Sequence, residues 1–190
     1  MKYNSLVFLA LAGSVFGQEM RLQLDPASTM VNFTLGDVLH TVHGDFKLKT
    51  GELWFDPSSG KAGGQIVVNA LSGESGSTAR DSRMHKNILE SAKFADITFV
   101  PDRVEGKVNL QGDSDVRLHG QFTIHGGTHE VTMTVKSHVE QQRLTAAISF
   151  PVPYVRWGMK NPSTLFLRVS DTAEINIQAT GQLSASSSTP

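Results

Sequence analysis

Residues 120–135, Gly120-Gln121-Phe122-Thr123-Ile124-His125-Gly126-Gly127-Thr128-His129-Glu130-Val131-Thr132-Met133-Thr134-Val135, decide the fold class. Phe122 and Ile124 alternate with polar neighbours, a Gly-rich break follows, and Val131, Met133 and Val135 alternate again. Alternation at period two puts the apolar side chains on one face of an extended strand. Gly126-Gly127 suits a two-residue hairpin turn, which would pair residue 125 with 128 and 124 with 129. On that register His129 shares a face with Ile124, Val131 and Met133. His125 shares the opposite face with His119, Gln121, Thr123 and Thr128, so the two histidines point apart and cannot hold one metal. His40 and His43 lie three apart with no third ligand in view, and neither a metal nor a cofactor is expected.

The same alternation runs outward in both directions. Upstream it takes in Val31, Phe33 and Leu35, then Phe46 and Leu48, a turn at Thr50-Gly51, and a return through Leu53 and Phe55. Asp56-Pro57-Ser58-Ser59-Gly60 makes the next turn. Ile66 and Val68, then Ile97 and Phe99, and then Leu118 continue the series. Downstream it passes through Leu144, Ala146, Ile148 and Phe150, through Leu165, Leu167 and Val169, and ends at Ala173, Ile175, Ile177 and Ala179. About eight or more short strands at this spacing predict an all-β sandwich or barrel.

One segment breaks the rule. Ser77-Thr78-Ala79-Arg80-Asp81 reads as a capping box with Thr78 as N-cap, and Met84, Ile88, Leu89 and Ala92 recur at helical spacing. The arc they span includes Asp81 and His85, and leaves Arg83, Lys86, Asn87 and Glu90 facing water. The helix therefore lays its apolar side on a β structure, with an acid and a histidine one turn apart. Those two form either a structural network, Asp81 capping the helix and orienting His85, or an acid–base pair.

Composition narrows the function classes. Met1-Lys2, the apolar run Leu6 to Ala12 and the residues Gly13 to Gly17 have the order of a secretory signal peptide cleaved after Gly17. The run is far short of the ~20 apolar residues of a membrane span. Roughly 170 residues would remain, enough for one domain with its own core. The absence of cysteine excludes disulfides, thiolate chemistry and a lipid-anchored amino terminus. With a net charge of −1 and scattered cations, no nucleic-acid footprint appears. The stretch Ser72 to Gly76 lacks the spacing of a nucleophile elbow, and there is no phosphate loop or dinucleotide fingerprint. Ser184 to Pro190 is Ser-rich and reads as a disordered tail. What remains is the apolar face itself, rich in Phe, Leu, Ile and Met, with Gly120 leaving room on it. Composition does not separate a solid core from a lined cavity.

Several fragments, in order, resemble the YceI-like family. They are Gly44-Asp45-Phe46, Gly51-Glu52-Leu53, Arg80-Asp81, Met84-His85, Leu89, Ile97-Thr98-Phe99 and Gly120 to Gly126. The resemblance covers roughly Leu22 to Gly181. It departs from the family's pattern at Gly127, where an apolar residue is common, and over Tyr154 to Lys160. It implies a lipocalin-like antiparallel eight-stranded β-barrel with one capping helix, over residues 18–181, after a signal peptide 1–17 and before a disordered tail 182–190. It also implies a periplasmic or secreted protein, a possible homodimer, and a polyisoprenoid such as a quinone or polyprenyl phosphate held in the barrel. Phe33, Phe46, Phe99, Phe122, Ile124, Met133, Ile148 and Phe150 would then line the tail site, with Met84 and Ile88 covering it. Arg80, Asp81, His85 and His129 would be the nearest polar groups, Arg80 meeting any phosphate, and Trp157 a rim aromatic. Each buried methylene contributes about 0.8 kcal/mol; after the cost of ordering a flexible tail, ~0.3 kcal/mol per heavy atom survives. The competing readings are an isoprenoid-modifying enzyme using Asp81 and His85, and a filled-barrel stress or interaction protein.

Overall fold

Strand pairing closes on itself in this protein. The structure, a computed structural model, describes residues 19–36, 41–165 and 167–186. Its strands are β1 (Met20–Leu24), β2 (Met30–Gly36), β3 (Thr41–Phe55), β4 (Ala62–Glu74), β5 (Asp96–Glu105), β6 (Gly112–Ile124), β7 (Gly127–Glu140), β8 (Arg143–Val152) and β9 (Ala173–Ala185). Strands β2 to β9 pair antiparallel in sequence order, and β9 returns to β2, giving a closed barrel of eight staves. Closure leaves no sheet edge in need of cover.

The extra strand, β1, continues the line of β2. β2 pairs with Thr41 to Lys47 of β3, whereas β1 pairs with Glu52 to Phe55 further along it. On the other side β2 pairs with Glu174 to Gln178 of β9, and β1 with Gly181 to Ala185. The break between them falls at Asp25-Pro26, where proline has no N–H for the ladder. Asp25 organises the break by accepting from Ala27 N at 2.9 Å and Ser28 Oγ at 2.6 Å.

Four sequence expectations change here. Thr50-Gly51 is not a turn, because β3 runs straight through it with a register shift between the Leu48–Val68 and Thr50–Val67 pairs. The extra residue of such a bulge moves the inward face from even to odd positions, so that Leu48 and then Gly51 and Phe55 are buried. Gly51 is needed there, since a Cβ would meet the Leu24 side chain at 2.6 Å.

Leu165, Leu167 and Val169 do not form a strand; among the described residues only an isolated bridge at Val169 and the Ser170 N to Gly36 O bond at 2.9 Å tie this stretch to other backbone. They belong to a loop between β8 and β9. The chain's ordered part also runs further than expected: Gln182 to Ala185 of the anticipated tail complete β9, and Leu183 is 3% exposed. Pairing with β1 supplies the backbone partners that a Ser-rich composition does not announce. Residues 187–190 and the expected leader, 1–17, lie outside the described residues. Finally, the room expected at Gly120 is taken by the Phe99 ring and the Val100 carbonyl.

The two ends of the barrel differ. One is closed by tight turns, at Gln141-Gln142 and at Asp56 to Lys61, and packed with Leu22, Leu48, Phe55, Val139 and Leu183. Over the other end lie the β4–β5 helix, the β6–β7 hairpin and the β8–β9 loop.

A cavity open at one end

All eight staves turn apolar side chains into one cavity of about 530 Å³. Its walls include Val31 and Phe33 of β2, Ile97 and Phe99 of β5, Phe122 and Ile124 of β6, and Ile175 and Ile177 of β9. Phe33 packs on Phe46 at 5.5 Å between ring centroids, and Phe122 meets Phe150 edge-on at 5.7 Å. Val135, Ile148 and Ile177 are cross-strand neighbours facing inward at mid-barrel, yet each is only half-buried because the cavity lies in front of it. Met133 and Phe150 are buried in the same wall. The interior is therefore lined, and its volume falls within the ~300–1,000 Å³ of ordinary ligand sites.

The helix roofs this space. α1 (Thr78–Arg83) continues as a π-helical turn, Met84–Ile88. Ser77, not Thr78, is the N-cap residue, and it makes no side-chain capping bond. Met84, Ile88 and Leu89 face the cavity, whereas Ala92 lies beyond the helix and is exposed. Gly73 lets the roof come close: a Cβ there would meet Met84 Cε at 2.8 Å and the Phe46 ring at 2.5 Å.

Asp81 and His85 engage different partners. Asp81 Oδ1 accepts from Ser75 N at 2.9 Å and from the Ser75 hydroxyl. Arg80 donates from Nε to the same hydroxyl at 2.8 Å and from Nη2 to the Ser75 carbonyl at 2.7 Å. Arg80, Ser75 and Asp81 thus form one polar cluster at the roof's leading edge. His85 Nε2 meets the Gly73 carbonyl at 2.9 Å and Nδ1 meets the fully buried Ser91 hydroxyl at 2.8 Å. That imidazole clamps the roof to β4 and the following turn. Asp81 does not orient it, and neither residue lines the cavity.

The hairpin turns one residue earlier than expected, over His125-Gly126, with Ile124 paired to Gly127 and Phe122 to His129. Both turn residues have positive φ, 52° and 74°, as a type I′ hairpin requires. The shift preserves the parity of the faces, so His129 still points inward. His125 leaves the outer sheet face for the turn, where Nε2 meets Glu90 Oε2 at 2.7 Å. His129 stacks on Trp157 at 4.2 Å with planes 6° apart, and its Nε2 is buried without a partner among the described residues. Trp157 in turn lies 5.8 Å from Phe122. The His129–Trp157 pair packs beside Phe122 toward the open end and does not itself line the cavity.

Of the anticipated site residues, Phe33, Phe46, Arg80, Met84, Ile88, Phe99, Phe122, Ile124, Met133, Ile148 and Phe150 line the cavity, while Asp81, His85, His129 and Trp157 do not. Sequence reasoning missed Arg83, which it turned to water. The exposed guanidinium of Arg83 sits on the rim, and a long stem can lie over apolar surface while its head stays solvated. Also missed were Tyr154, Met159 and Pro162 of the β8–β9 loop. Apolar residues without strand period, between two strands, were the available signal. The Tyr154 hydroxyl donates to Ser170 O at 2.7 Å and Ser170 N to Gly36 O at 2.9 Å, tying the loop across the mouth. Burial, with Asp171 adding to it, pushes the Tyr154 phenol up to about 12.

The molecule is thus a closed antiparallel barrel around an apolar cavity with a polar mouth. The chain belongs to the YceI-like domain family, whose model matches residues 22–181. It is similar to the UPF0312 proteins of Shewanella sp. strains ANA-3 and MR-4, each 32% identical over 105 residues, 53% of this chain and 52% of theirs. The match spans about half the length of those curated relatives. In fold it is similar to BcnA of Burkholderia cenocepacia (TM-score 0.68, 16% identity, 83% of this chain and 98% of that one). It is similarly close to a polyisoprenoid binding domain of Saccharophagus degradans (TM-score 0.67, 15% identity, 85% and 97%). A Campylobacter jejuni YceI protein follows at a TM-score of 0.58, with 16% identity over 76% of this chain and 86% of that one.

Proposed function

We propose that this protein is an exported carrier that holds a polyisoprenoid, or a similar long apolar lipid, in its barrel for transport, storage or sequestration. The observation that carries the reading is the one-ended cavity of about 530 Å³, apolar along its walls and polar at Ser75, Ser77, Arg80 and Arg83. A linear amphiphile fits that distribution: its tail takes the walls and its head stays at the rim. The Saccharophagus degradans relative, described as a polyisoprenoid binding domain, supports the tail class. Arg80 and Arg83 favour an anionic head such as a phosphate, through charge-assisted hydrogen bonds. Binding without turnover accords with Asp81 and His85 being engaged apart. Export rests on the leader pattern of residues 1–17.

Mass spectrometry of an organic extract tests this, on protein purified without detergent from the compartment it is exported to. One stoichiometric prenyl species is expected, on a chain whose first residue is Gln18. A clean extract, with no uptake of added quinone or polyprenyl phosphate, would sink the reading. Loss of selectivity for phosphate-headed lipids in Arg80→Ala/Arg83→Ala is the expected sign of the head-group site.

A further inference from the structure

The mouth carries a feature that cargo binding does not use. Within the β8–β9 loop, Thr164 N donates to Leu167 O at 2.8 Å and Leu167 N to Thr164 Oγ1 at 3.2 Å. Leu165, next to Thr164, is 96% exposed. Single exposed leucines are ordinary, but among the described residues the other exposed large apolar side chains reach at most 57%. Leu165 is also hung at the cavity's opening, because Pro162 and Leu167 on either side of it line the cavity.

Charge is arranged around that leucine. Lys160 follows the buried Met159, and Arg168 lies between Leu167 and Val169, both in the cavity wall. Both cations are exposed. Arg156 in the same loop, and Arg80, Arg83, Lys86 and Lys93 around the roof, are exposed as well. None of these seven makes a salt bridge among the described residues. The segments over the mouth, 75–95 and 153–172, hold only three carboxylates, in a chain of net charge −1. One of these, Glu90, is taken by His125. Those two segments thus carry seven Lys and Arg against three carboxylates, with Glu74, Asp96 and Glu174 at the strand ends next to them.

We propose that the barrel mouth docks on an anionic phospholipid surface, with Leu165 entering the headgroup layer beside Lys160 and Arg168. An apolar tip flanked by cations matches such a surface, since each Lys or Arg held near an anionic leaflet contributes about fivefold to partitioning. Docked this way, a tail passes between bilayer and cavity without crossing water. The inference rests on the lipid-carrier reading, for it names the surface with which cargo is exchanged.

The test is co-sedimentation of the protein with vesicles of equal parts phosphatidylglycerol and phosphatidylcholine, against phosphatidylcholine alone. Uptake of a soluble short-chain prenol is measured on the same preparations. Binding to the anionic vesicles only is expected, weakening as the Debye length falls from ~30 Å to ~8 Å with added salt. Leu165→Ser should weaken it severalfold, and Lys160→Glu/Arg168→Glu about 25-fold or more. Lys107→Glu, at the closed end, should leave it unchanged. Equal binding to both vesicles, binding to neither, or binding that these mouth variants do not alter would overturn the docking face. So would a dimer that Leu165→Ser abolishes in the absence of vesicle binding. Prenol uptake separates the two ideas: uptake without vesicle binding overturns docking alone, and vesicle binding without uptake overturns the carrier reading alone.

Discussion

The imidazole of His129 lies flat against the indole of Trp157, 4.2 Å away with planes 6° apart, and its buried Nε2 has no hydrogen-bond partner among the described residues. Stacking holds a polar ring where no polar group answers it. An unpaired buried polar atom carries its full desolvation penalty. His129→Phe keeps the stacked ring and deletes that atom, and should raise stability by about 1 kcal/mol. Urea midpoints compared at a pH where the imidazole is neutral check this. A lower midpoint would show that the nitrogen is satisfied in solution.

Filling the cavity should cost function without costing the fold. Ile148 faces the open interior at mid-barrel, between Val135 and Ile177. Enlarging a close-packed core residue costs roughly 1–3 kcal/mol, but here the added volume has space to enter. Ile148→Trp should unfold within about 1 kcal/mol of the parent and take up no prenyl lipid. Calorimetry alongside a lipid-uptake titration reads both, and unimpaired uptake would place the cargo elsewhere.

Leu183 should prove a core residue despite its place near the chain's end. It is 3% exposed, opposite Leu22, in the part of β9 that β1 covers. Leu183→Ala should cost about 2–5 kcal/mol, and truncation after Gly181 at least as much, measured by denaturant unfolding. Parent-like stability in both would mean that the β1–β9 pairing adds nothing.

Tyr154 predicts an alkaline limb in the stability profile. Its phenol ionises near the ordinary value of 10 once unfolded, and only at about 12 in the fold. The unfolded chain thus releases this proton first. The contribution of the neutral phenol is complete below pH ~10 and is lost as pH rises toward 12. Tyr154→Phe removes the hydroxyl that donates to Ser170 O. The variant should be less stable by about 0.5–1.5 kcal/mol at neutral pH, with the difference shrinking above pH ~10. Urea midpoints across that range test it, and a constant difference would refute the shift.

Much of the cavity wall was legible in advance. Phe122, Ile124, Met133, Ile148 and Phe150 were assigned inward by period-two alternation, and all of them line the cavity. The alternation misled where the backbone departs from a regular strand. At the β3 bulge it implied a turn, and at Leu165, Leu167 and Val169 it implied a strand where the chain instead runs as a loop over the mouth. The helical wheel turned Arg83 away from the mouth, because a wheel records Cα direction and ignores the reach of a long side chain over a rim.

The sequence by itself determined which face of each strand is apolar, that a single amphipathic helix interrupts them, and the family to which the chain belongs. Those properties are local, set by the spacing of side chains along a strand or helix, or by motifs in order. Whether the apolar faces meet as a solid core or stand apart around a space was decided by tertiary structure alone. The same Phe, Ile and Met residues serve either outcome. Eight staves in one closed ring hold Val135, Ile148 and Ile177 away from the opposite wall at mid-barrel, and β1, completing the β2 stave, closes the far end with Leu22 against Leu183. Pairing between strands distant in sequence sets that circumference, and no local pattern encodes it.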